Sequence, residues 1–277
     1  MIRKLGAFTA WLCAWLVSST AIALAAEGQP ENWQLGLQPA ASERMTRIIE
    51  LHTGVLYVIT IICLFVLGLL IWIMLRYNAS ANPTPSETTH NSLLEVMWTV
   101  VPVAILVGIA IPSFRLLYFE DVIPQADMTI KAIGKQWYWT YEYPDNGNFT
   151  FDSLGLSDRQ ATQQMEPRLL GTNNHVVVPV GKTVRLITTG ADVIHSWAIP
   201  SFGVKIDAIP GKINQSWFKA NKEGKFYGEC SELCGARHAF MPIEVEVMSQ
   251  ENFDKWVADA KTKFASAGAP TRVAAEQ

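Results

Sequence analysis

Two long apolar runs in the first half of the chain constrain its fold more than any other feature of the sequence. The run from Val55 to Leu75 contains no charged residue. About 20 such residues cover the hydrocarbon core of a bilayer, so this run predicts a transmembrane helix. The run from Val96 to Leu117 predicts a second one, because membrane helices tolerate prolines such as its Pro102 and Pro112. The polar stretch between the two runs predicts a loop.

The first 25 residues have the pattern of a secretory signal peptide. Arg3 and Lys4 give a positive start, a largely apolar run follows, and Ala23-Leu24-Ala25 offers a small-x-small cleavage site. Cleavage is expected after Ala25 or after the next residue. An uncleaved third membrane anchor stays open as the alternative, since the apolar run is near the upper length for a signal. In either case the segment that follows begins outside the cytoplasm.

An exported N-terminus followed by two crossings returns the chain to the periplasmic side of a bacterial inner membrane. We therefore divide the sequence into a signal peptide (1–25), an N-terminal segment with a two-helix hairpin (26–118), a periplasmic domain (119–266) and a tail (267–277). The tail is small and polar, which predicts disorder. The formal net charge of −3 and the lack of a basic run exclude nucleic acid as a partner, whereas membrane lipid is expected as one.

The periplasmic part changes to short runs of alternating polarity, bounded by Gly, Pro and Asn, which predict β-strands. Many short strands at this spacing favour a sandwich or barrel. Ser249 then predicts a helix N-cap, and apolar residues at helical spacing from Phe253 to Phe264 predict an amphipathic C-terminal helix. The predicted fold class is a membrane α-helical hairpin plus an all-β sandwich with this helix. The predicted strands are 128–133, 136–143, 175–179, 183–189, 195–199, 225–230 and 242–248.

The strongest chemical signal is the stretch GECSELCGARHAFMP. Within it, Cys230, Cys234, His238 and Met241 follow a C-x3-C-x3-H-x2-M spacing, and His195 lies upstream on a separate predicted strand. Thiolates, imidazoles and a thioether are soft ligands that favour copper over hard cations. A single blue-copper ion needs one Cys, two His and a weak axial Met. The second Cys therefore indicates a second copper ion, with both sulfurs bridging the pair.

Three other interpretations of these residues stay open at this point. Cys230 and Cys234 could form a disulfide in an oxidising periplasm. Two Cys and two His could bind structural zinc, although zinc would leave Met241 without a purpose. A single Met in an exported domain is most often a packing residue. Cys63, inside the first apolar run, is predicted to be a small packing residue without a ligand role.

The sequence resembles subunit II of the haem-copper cytochrome c oxidases, of the bacterial aa3-like kind. The resemblance runs from about Glu43 to Trp256, and its most specific stretches are EVMWTVVP, KQWYWTYEYP, DVIHSWAIPSFGVKIDAIPGKINQ and CSELCGARHAFMP. It implies a cupredoxin-like sandwich that accepts electrons from cytochrome c. These electrons would pass to the haem-copper subunit I, which reduces oxygen to water with proton pumping. The chain would thus carry electron input and not the oxygen-reducing site.

By the same resemblance, the periplasmic domain holds the mixed-valence dinuclear copper centre CuA. Both cysteines would bridge the coppers, each histidine would bind one copper, and the thioether and one backbone carbonyl would complete the two ligand sets. An electron shared over two coppers in a rigid core changes bond lengths little on reduction, which suits electron transfer. The Glu232 side chain is further implied in a magnesium site at the boundary with subunit I. The implied copper ligands are His195, Cys230, Glu232 (through its carbonyl), Cys234, His238 and Met241.

An aromatic residue beside this motif is implied as the point where electrons enter. As part of a strand, Trp137 would share one face with Trp139 and Tyr141, and core packing is the alternative explanation for these rings. The resemblance singles out Trp137 as exposed to cytochrome c. The position before Gln136 often holds His in the family and is Lys135 here, which changes the local charge.

Three acidic residues are also assigned by the resemblance. Glu142 and Asp192 match positions implied in docking a basic cytochrome c, and the stretch from 136 to 158 contains four acids and no Lys or Arg. A solvated loop surface explains any single acid equally well. Glu95, at the cytoplasmic edge of the second apolar run, is implied at the entrance of a proton pathway in subunit I, with helix capping as the alternative.

Three competing functions fit the sequence less well. A quinol oxidase subunit II would share the anchor and the sandwich but lack the copper ligands. A nitrous oxide reductase has a similar copper motif but needs a large second domain and no membrane hairpin. A copper carrier or assembly factor would have fewer or more exposed ligands and no acidic surface beside Trp137. The sequence has no C-x2-C-H motif, which excludes an appended c-type haem domain.

Overall fold

The computed structural model describes residues 28–264, and it begins with two long helices. They are α1 (Glu43–Arg76) and α2 (Ser92–Asp121). Ser42 and Asn91 cap them, each accepting hydrogen bonds from backbone amides of the first turn. Both helices are long and apolar enough to cross a membrane. The predicted signal peptide and tail fall on residues outside the described range.

Each helix is longer than the apolar run that it contains, with 34 residues in α1 and 30 in α2. At about 1.5 Å per residue, α1 is about 50 Å long, whereas the hydrocarbon core of a bilayer is about 30 Å thick. The first turns of α1 therefore lie outside the hydrocarbon core, where they contact the β domain.

Ten strands follow in the described part of the chain, interrupted by a short helix, α3 (Asp158–Gln164), and followed by a longer one, α4 (Gln250–Phe264). Their number and spacing confirm the all-β domain. The strands are β1 (Met128–Lys135), β2 (Tyr138–Tyr143), β3 (Phe149–Ser153), β4 (Val176–Pro179), β5 (Thr183–Gly190), β6 (His195–Ile199), β7 (Val204–Ala208), β8 (Asn214–Lys219), β9 (Gly224–Glu229) and β10 (Pro242–Met248).

The strands form three sheets that enclose one apolar core. The largest has the order β3-β2-β1-β5-β8, a second has the order β4-β10-β9, and β6 pairs with β7. Pairing is parallel between β1 and β5 and between β4 and β10, and antiparallel elsewhere. Trp139 from the first sheet, Ile243 from the second and Trp197 from the third are all fully buried. The architecture is therefore a β-sandwich, as predicted.

The C-terminal helix α4 packs on this sandwich as its pattern predicts. The Ser249 hydroxyl accepts a hydrogen bond from the Asn252 amide at 3.3 Å, consistent with an N-cap. Phe253 and Val257 are buried, and the ring of Phe264 stacks on Phe151 of β3 with centroids 4.8 Å apart.

Two groups of strand predictions need correction. The strand predicted over 136–143 begins only at Tyr138, because Gln136 and Trp137 form the turn between β1 and β2 and are joined by a cis peptide. Trp137 therefore does not share a strand face with Trp139. Three strands, β3, β7 and β8, were not predicted at all. Their outward positions carry polar or charged residues such as Lys205 in β7, so short apolar runs do not mark them.

The helical hairpin and the sandwich meet at the start of α1 and the end of α2. Arg44 donates a hydrogen bond to Ser216 at 2.9 Å and pairs with Glu120 at 3.5 Å. The indole of Trp217 donates to the Glu120 carbonyl at 3.2 Å and packs edge-on against Phe119. These contacts join β8 to both helices and fix the sandwich against the hairpin.

Candidate metal centre

Five predicted ligand side chains converge at one end of the sandwich. Four lie on the loop that connects β9 to β10, and His195 is the first residue of β6. The loop is held in place by a hydrogen bond from the Cys230 amide to the Met241 carbonyl at 3.2 Å. A second bond, from the Ser231 amide to the Ser196 carbonyl at 2.9 Å, fastens the loop to β6. The predicted ligand residues thus lie on one loop and on one separate strand, as their spacing indicated.

The donor atoms of this group lie within a few ångströms of the two sulfurs. The Cys230 and Cys234 sulfurs are 3.8 Å apart and do not form a disulfide. His195 Nδ1 lies 3.9 Å and the Glu232 carbonyl oxygen 3.3 Å from the Cys230 sulfur. On the other side, His238 Nδ1 lies 3.6 Å and the Met241 sulfur 3.5 Å from the Cys234 sulfur.

This arrangement fits a soft metal. The ligand atoms of His195, Cys230 and Cys234 all lie within 4.8 Å of one another, and all three residues are buried. Met241 is fully buried with its sulfur at the same point, so a thioether is part of the donor set. Thiolate, imidazole and thioether together are typical of copper ligands. Each sulfur has one imidazole and one further donor beside it, so the set divides into two similar halves.

Glycine makes room for one of the imidazoles. A Cβ atom built on Gly134 of β1 would lie only 2.6 Å from the His195 ring, which no side chain could accommodate without moving it. The ring of Trp139 packs edge-on against the same imidazole, with centroids 6.0 Å apart. The position of His195 is thus determined by its neighbours in the sheet.

A carboxylate orients the same imidazole. Asp192 Oδ1 lies 2.8 Å from His195 Nε2, and Asp192 Oδ2 accepts a hydrogen bond of 2.6 Å from the Gln136 amide. A metal bound at Nδ1 requires the proton on Nε2, which then donates to Asp192. Burial by itself lowers the pKa of His195, but Cys230 and Asp192 outweigh it and raise the pKa above its ordinary value.

The two thiols differ in acidity before any metal binds. Burial raises the pKa of Cys230, but hydrogen bonds from His195 and the backbone outweigh it, so the pKa falls to about 7. Burial and the neighbouring charge of Cys230 raise the pKa of Cys234 to about 12. Two thiolates 3.8 Å apart repel each other, so the metal-free site holds at least one proton near neutral pH. A cation would replace that proton.

Trp137 contacts the centre directly. Its indole Nε1 donates a hydrogen bond of 3.2 Å to the Cys234 carbonyl, and the Gln136 side chain donates to the same oxygen at 2.9 Å. Gly235, with φ of 120°, leaves space for both side chains, since a Cβ there would lie 3.1 Å from one and 3.2 Å from the other. Trp137 is partly buried, whereas the resemblance implied an exposed side chain.

Acidic residues of the stretch from 136 to 158 have partners within the domain. Glu142 pairs with Lys131 at 3.0 Å, and Asp152 accepts from the Thr140 hydroxyl at 2.5 Å. Asp158 pairs with Arg168 at 3.2 Å. The negative charges of these three acids are therefore partly offset by partners within the domain. The Glu142 side chain is still 29% exposed, so a binding partner can reach it.

The remaining predicted residues lie on exposed parts of the chain. Glu95 is in the first turn of α2, where its carboxylate accepts a hydrogen bond from the Asn91 amide at 3.3 Å. The Glu232 residue is exposed while its carbonyl faces the Cys230 sulfur. Cys63 is exposed on α1, so it is not packed within the described part of this chain.

Sequence reasoning missed two residues that shape the centre. Gly134 and Gln136 carry no recognisable ligand chemistry, and their role depends on the distance from β1 to the loop. The link between Asp192 and His195 has a weak local signal, because a carboxylate three residues before a histidine can reach its ring. Only the turn between β5 and β6 brings that pair together.

Comparisons with known proteins agree with this description. A family model described as "Cytochrome C oxidase subunit II, periplasmic domain" matches residues 128–248, and its transmembrane counterpart matches residues 30–116. The "Probable cytochrome c oxidase subunit 2" of Rickettsia bellii is 49% identical over 247 residues, 89% of this chain and 91% of that protein. The "Cytochrome c oxidase subunit 2" of Oenothera berteroana is 46% identical over 235 residues, 83% of this chain and 91% of that protein. A crystal structure of the periplasmic domain of subunit II of cytochrome oxidase from Bradyrhizobium japonicum is 60% identical and covers 52% of this chain and 99% of that chain, with a TM-score of 0.49.

Proposed function

Because the chain belongs to the cytochrome c oxidase subunit II family, we propose that its buried thiol centre is a dinuclear CuA site that receives electrons from cytochrome c. The protein is a subunit of a haem-copper oxidoreductase, with two helices in the bacterial inner membrane and a periplasmic β domain. The observation that carries the proposal is the convergence of four further donor atoms on two cysteine sulfurs 3.8 Å apart.

The proposed ligand set divides between two copper ions. Both cysteine sulfurs would bridge the ions. The rest of the set is His195 Nδ1, His238 Nδ1, the Met241 sulfur and the Glu232 carbonyl. Bound there, a copper pair would supply a site that takes up and releases one electron with little change in bond lengths. The chain's own contribution is to hold the ligands rigidly, through the Cys230–Met241 backbone bond and the packing around His195.

Electron paramagnetic resonance tests the dinuclear site. We expect the periplasmic fragment 119–277, refolded with copper, to show hyperfine splitting from two equivalent copper nuclei. Splitting from a single nucleus, or a Cys230–Cys234 disulfide found by mass spectrometry, would contradict the proposal. Cys230→Ser is a matched control, since it removes one bridging sulfur with little change in volume and should abolish the shared-electron signal.

Electrons would enter through Trp137. Its indole is partly exposed and hydrogen-bonded to the backbone of the ligand Cys234, which gives a short bonded path from the surface to the centre. We expect Trp137→Ala to slow reduction of the centre by reduced cytochrome c by at least about tenfold while the copper spectrum is unchanged. Trp33→Ala is the control, because this tryptophan is 96% exposed. Equal rates in both variants would argue against Trp137 as the input point.

Three further assignments extend the proposal to the partner proteins. Glu142 and Asp192 would attract cytochrome c, and the exposed Glu232 carboxylate would bind Mg²⁺ together with subunit I. Glu95 would lie at the entrance of a proton pathway in subunit I. Its carboxylate also accepts the hydrogen bond from the Asn91 amide at the start of α2. Glu232→Gln and Glu95→Gln separate these roles, since the first should lower the magnesium content and the second should slow proton uptake with normal copper spectra.

A copper carrier is the second candidate function. A carrier must release its metal, and exposed ligands favour release. The burial of Cys230, Cys234, His195 and Met241 favours retention instead. Rapid loss of copper from the folded domain to a mild chelator would support the carrier.

A further inference from the structure

Gln136 is an exposed residue of the turn between β1 and β2, yet it contacts both halves of the metal centre. Its backbone amide donates a hydrogen bond of 2.6 Å to Asp192, whose other oxygen lies 2.8 Å from His195 Nε2. Its side-chain NH2 group donates a hydrogen bond of 2.9 Å to the Cys234 carbonyl. One residue therefore links the imidazole beside the Cys230 sulfur to the backbone of Cys234.

The Cys234 carbonyl accepts a second hydrogen bond from the same turn. Trp137 Nε1 donates it at 3.2 Å. A carbonyl oxygen has two lone pairs, so both donors can be satisfied at once. Both side chains lie against Gly235, where an added Cβ would be 3.1 Å from Gln136 Nε2 and 3.2 Å from the Trp137 ring. The Gln136 amide thus restricts the direction of the carbonyl that the indole contacts.

An exposed residue beside Trp137 could instead serve only as a contact for cytochrome c. The NH2 group of Gln136, however, is already bonded within the domain, and the side chain carries no charge that would steer a basic partner. Water could bond to the Cys234 carbonyl in its place, but a water molecule without a second anchor does not fix the direction of that carbonyl. These contacts favour an internal role for the side chain.

We propose that Gln136 is a positioning residue, which holds the Cys234 backbone against Trp137 and favours reduction of the centre. The proposal rests on the CuA assignment. The side-chain N–H of Gln136 has the positive end of its dipole toward Cys234, where it would stabilise an added electron. Loss of one such hydrogen bond changes an equilibrium constant by about fivefold.

Three variants separate the hydrogen-bond donor from the other properties of this side chain. Gln136→Met keeps its length and removes the donor, Gln136→Glu places a carboxylate against the carbonyl, and Gln136→Lys keeps a donor. In the purified oxidase complex, we expect the first two to change the copper hyperfine splitting and to slow reduction by cytochrome c. At a fixed mediator potential, Gln136→Met should lower the ratio of reduced to oxidised centre about fivefold. Gln136→Lys should retain the splitting of the unaltered chain.

Hydrogen exchange of the copper-free full chain tests the same contact without the metal. Exchange of the loop amides 230–241, followed by mass spectrometry of their peptides, should be about fivefold faster in Gln136→Met but not in Gln136→Lys. Gln163→Met, at an exposed position of α3, is the matched control and should change neither measurement. A single-nucleus copper spectrum in the unaltered chain would refute the CuA assignment, whereas the exchange result does not depend on it.

Several outcomes would overturn the role of Gln136. Unchanged exchange in Gln136→Met would mean that its donor does not hold the loop. Faster exchange with an unchanged splitting and reduced fraction would mean that it only stiffens the loop. If the spectra are unchanged and electron input is fastest in Gln136→Glu and slowest in Gln136→Lys, the residue acts through charge at the docking surface.

Discussion

Asp192 Oδ1 lies 2.8 Å from His195 Nε2, so an exposed carboxylate is hydrogen-bonded to the buried imidazole of a predicted copper ligand. Its second oxygen accepts a hydrogen bond from the Gln136 amide. Asp192 was expected to dock cytochrome c, and its side chain is 34% exposed. The same residue can therefore attract a partner and orient the imidazole. These two roles predict different experimental effects.

Asp192→Asn should weaken copper binding, because the amide cannot supply the negative charge that stabilises the His195 imidazole. Loss of such a partner typically costs about 10–100-fold in metal affinity. Chelator competition measures the affinity, and a changed hyperfine splitting would report a displaced His195. A residue that only docks cytochrome c would instead change the salt dependence of electron input and leave both copper measurements unchanged. Asp259→Asn, at an exposed position of α4, is the control.

Gly134→Ala should disturb the centre without removing a ligand. The added Cβ would lie 2.6 Å from the His195 ring, so either β1 or the imidazole must shift. Overpacking of this kind costs about 1–3 kcal/mol. We expect a lower melting temperature and an altered copper spectrum. Gly36→Ala has open space around its Cβ and should change neither; a normal spectrum in both variants would refute the role of Gly134.

Copper uptake should depend steeply on pH, since each thiol must lose its proton to bind. The pKa of Cys230 is lowered to about 7 and that of Cys234 is raised to about 12. Below about pH 7 both thiol protons must leave, and the His195 imidazolium, whose pKa is also raised, must lose its proton as well. Well above pH 7 only the proton of Cys234 must leave. The apparent affinity should rise at least about 100-fold per pH unit below pH 7 and about tenfold per unit above it. Chelator competition across this range measures the slope.

Cys234→Ser provides the control for this pH dependence. It removes the thiol with the raised pKa, so the remaining affinity should be nearly independent of pH above about pH 7. An unchanged slope in this variant would mean that another group releases the proton.

Glu142 and Lys131 should act on cytochrome c in opposite directions. Glu142→Gln removes a negative charge and should slow association a few-fold at low salt, whereas Lys131→Gln exposes the full charge of Glu142 and should speed it. Stopped-flow rates at several salt concentrations measure both effects, which should vanish at high salt. If both variants change the association rate by the same amount and in the same direction, the Glu142–Lys131 pair has only a structural role.

Phe253→Ala should destabilise the periplasmic domain, because this side chain on α4 is only 3% exposed. A buried Phe→Ala change costs about 3–5 kcal/mol. Denaturant unfolding of the periplasmic fragment measures the loss. Met165→Ala, at a 91% exposed position within the same fragment, should change the unfolding free energy by less than about 0.5 kcal/mol.

The sequence alone determined the features that depend on local spacing. Long apolar runs predicted both membrane helices, and alternating runs predicted most strands. The predicted loop ligands lie within 12 consecutive residues, so their spacing already indicated one site; they are Cys230, Cys234, His238 and Met241. Strands with polar outward positions, such as β8, escaped this reasoning because tertiary pairing and not local pattern makes them strands.

The tertiary structure alone decided the surroundings of the ligands. Gln136 and Trp137 reach the Cys234 carbonyl from nearly 100 positions away. Gly134 and Asp192 meet the His195 ring only because β1 and β5 pair in parallel and the following turn leads into β6. Residue spacing cannot specify such contacts, since they depend on strand register and on close packing between separate sheets, and both are properties of the folded chain as a whole.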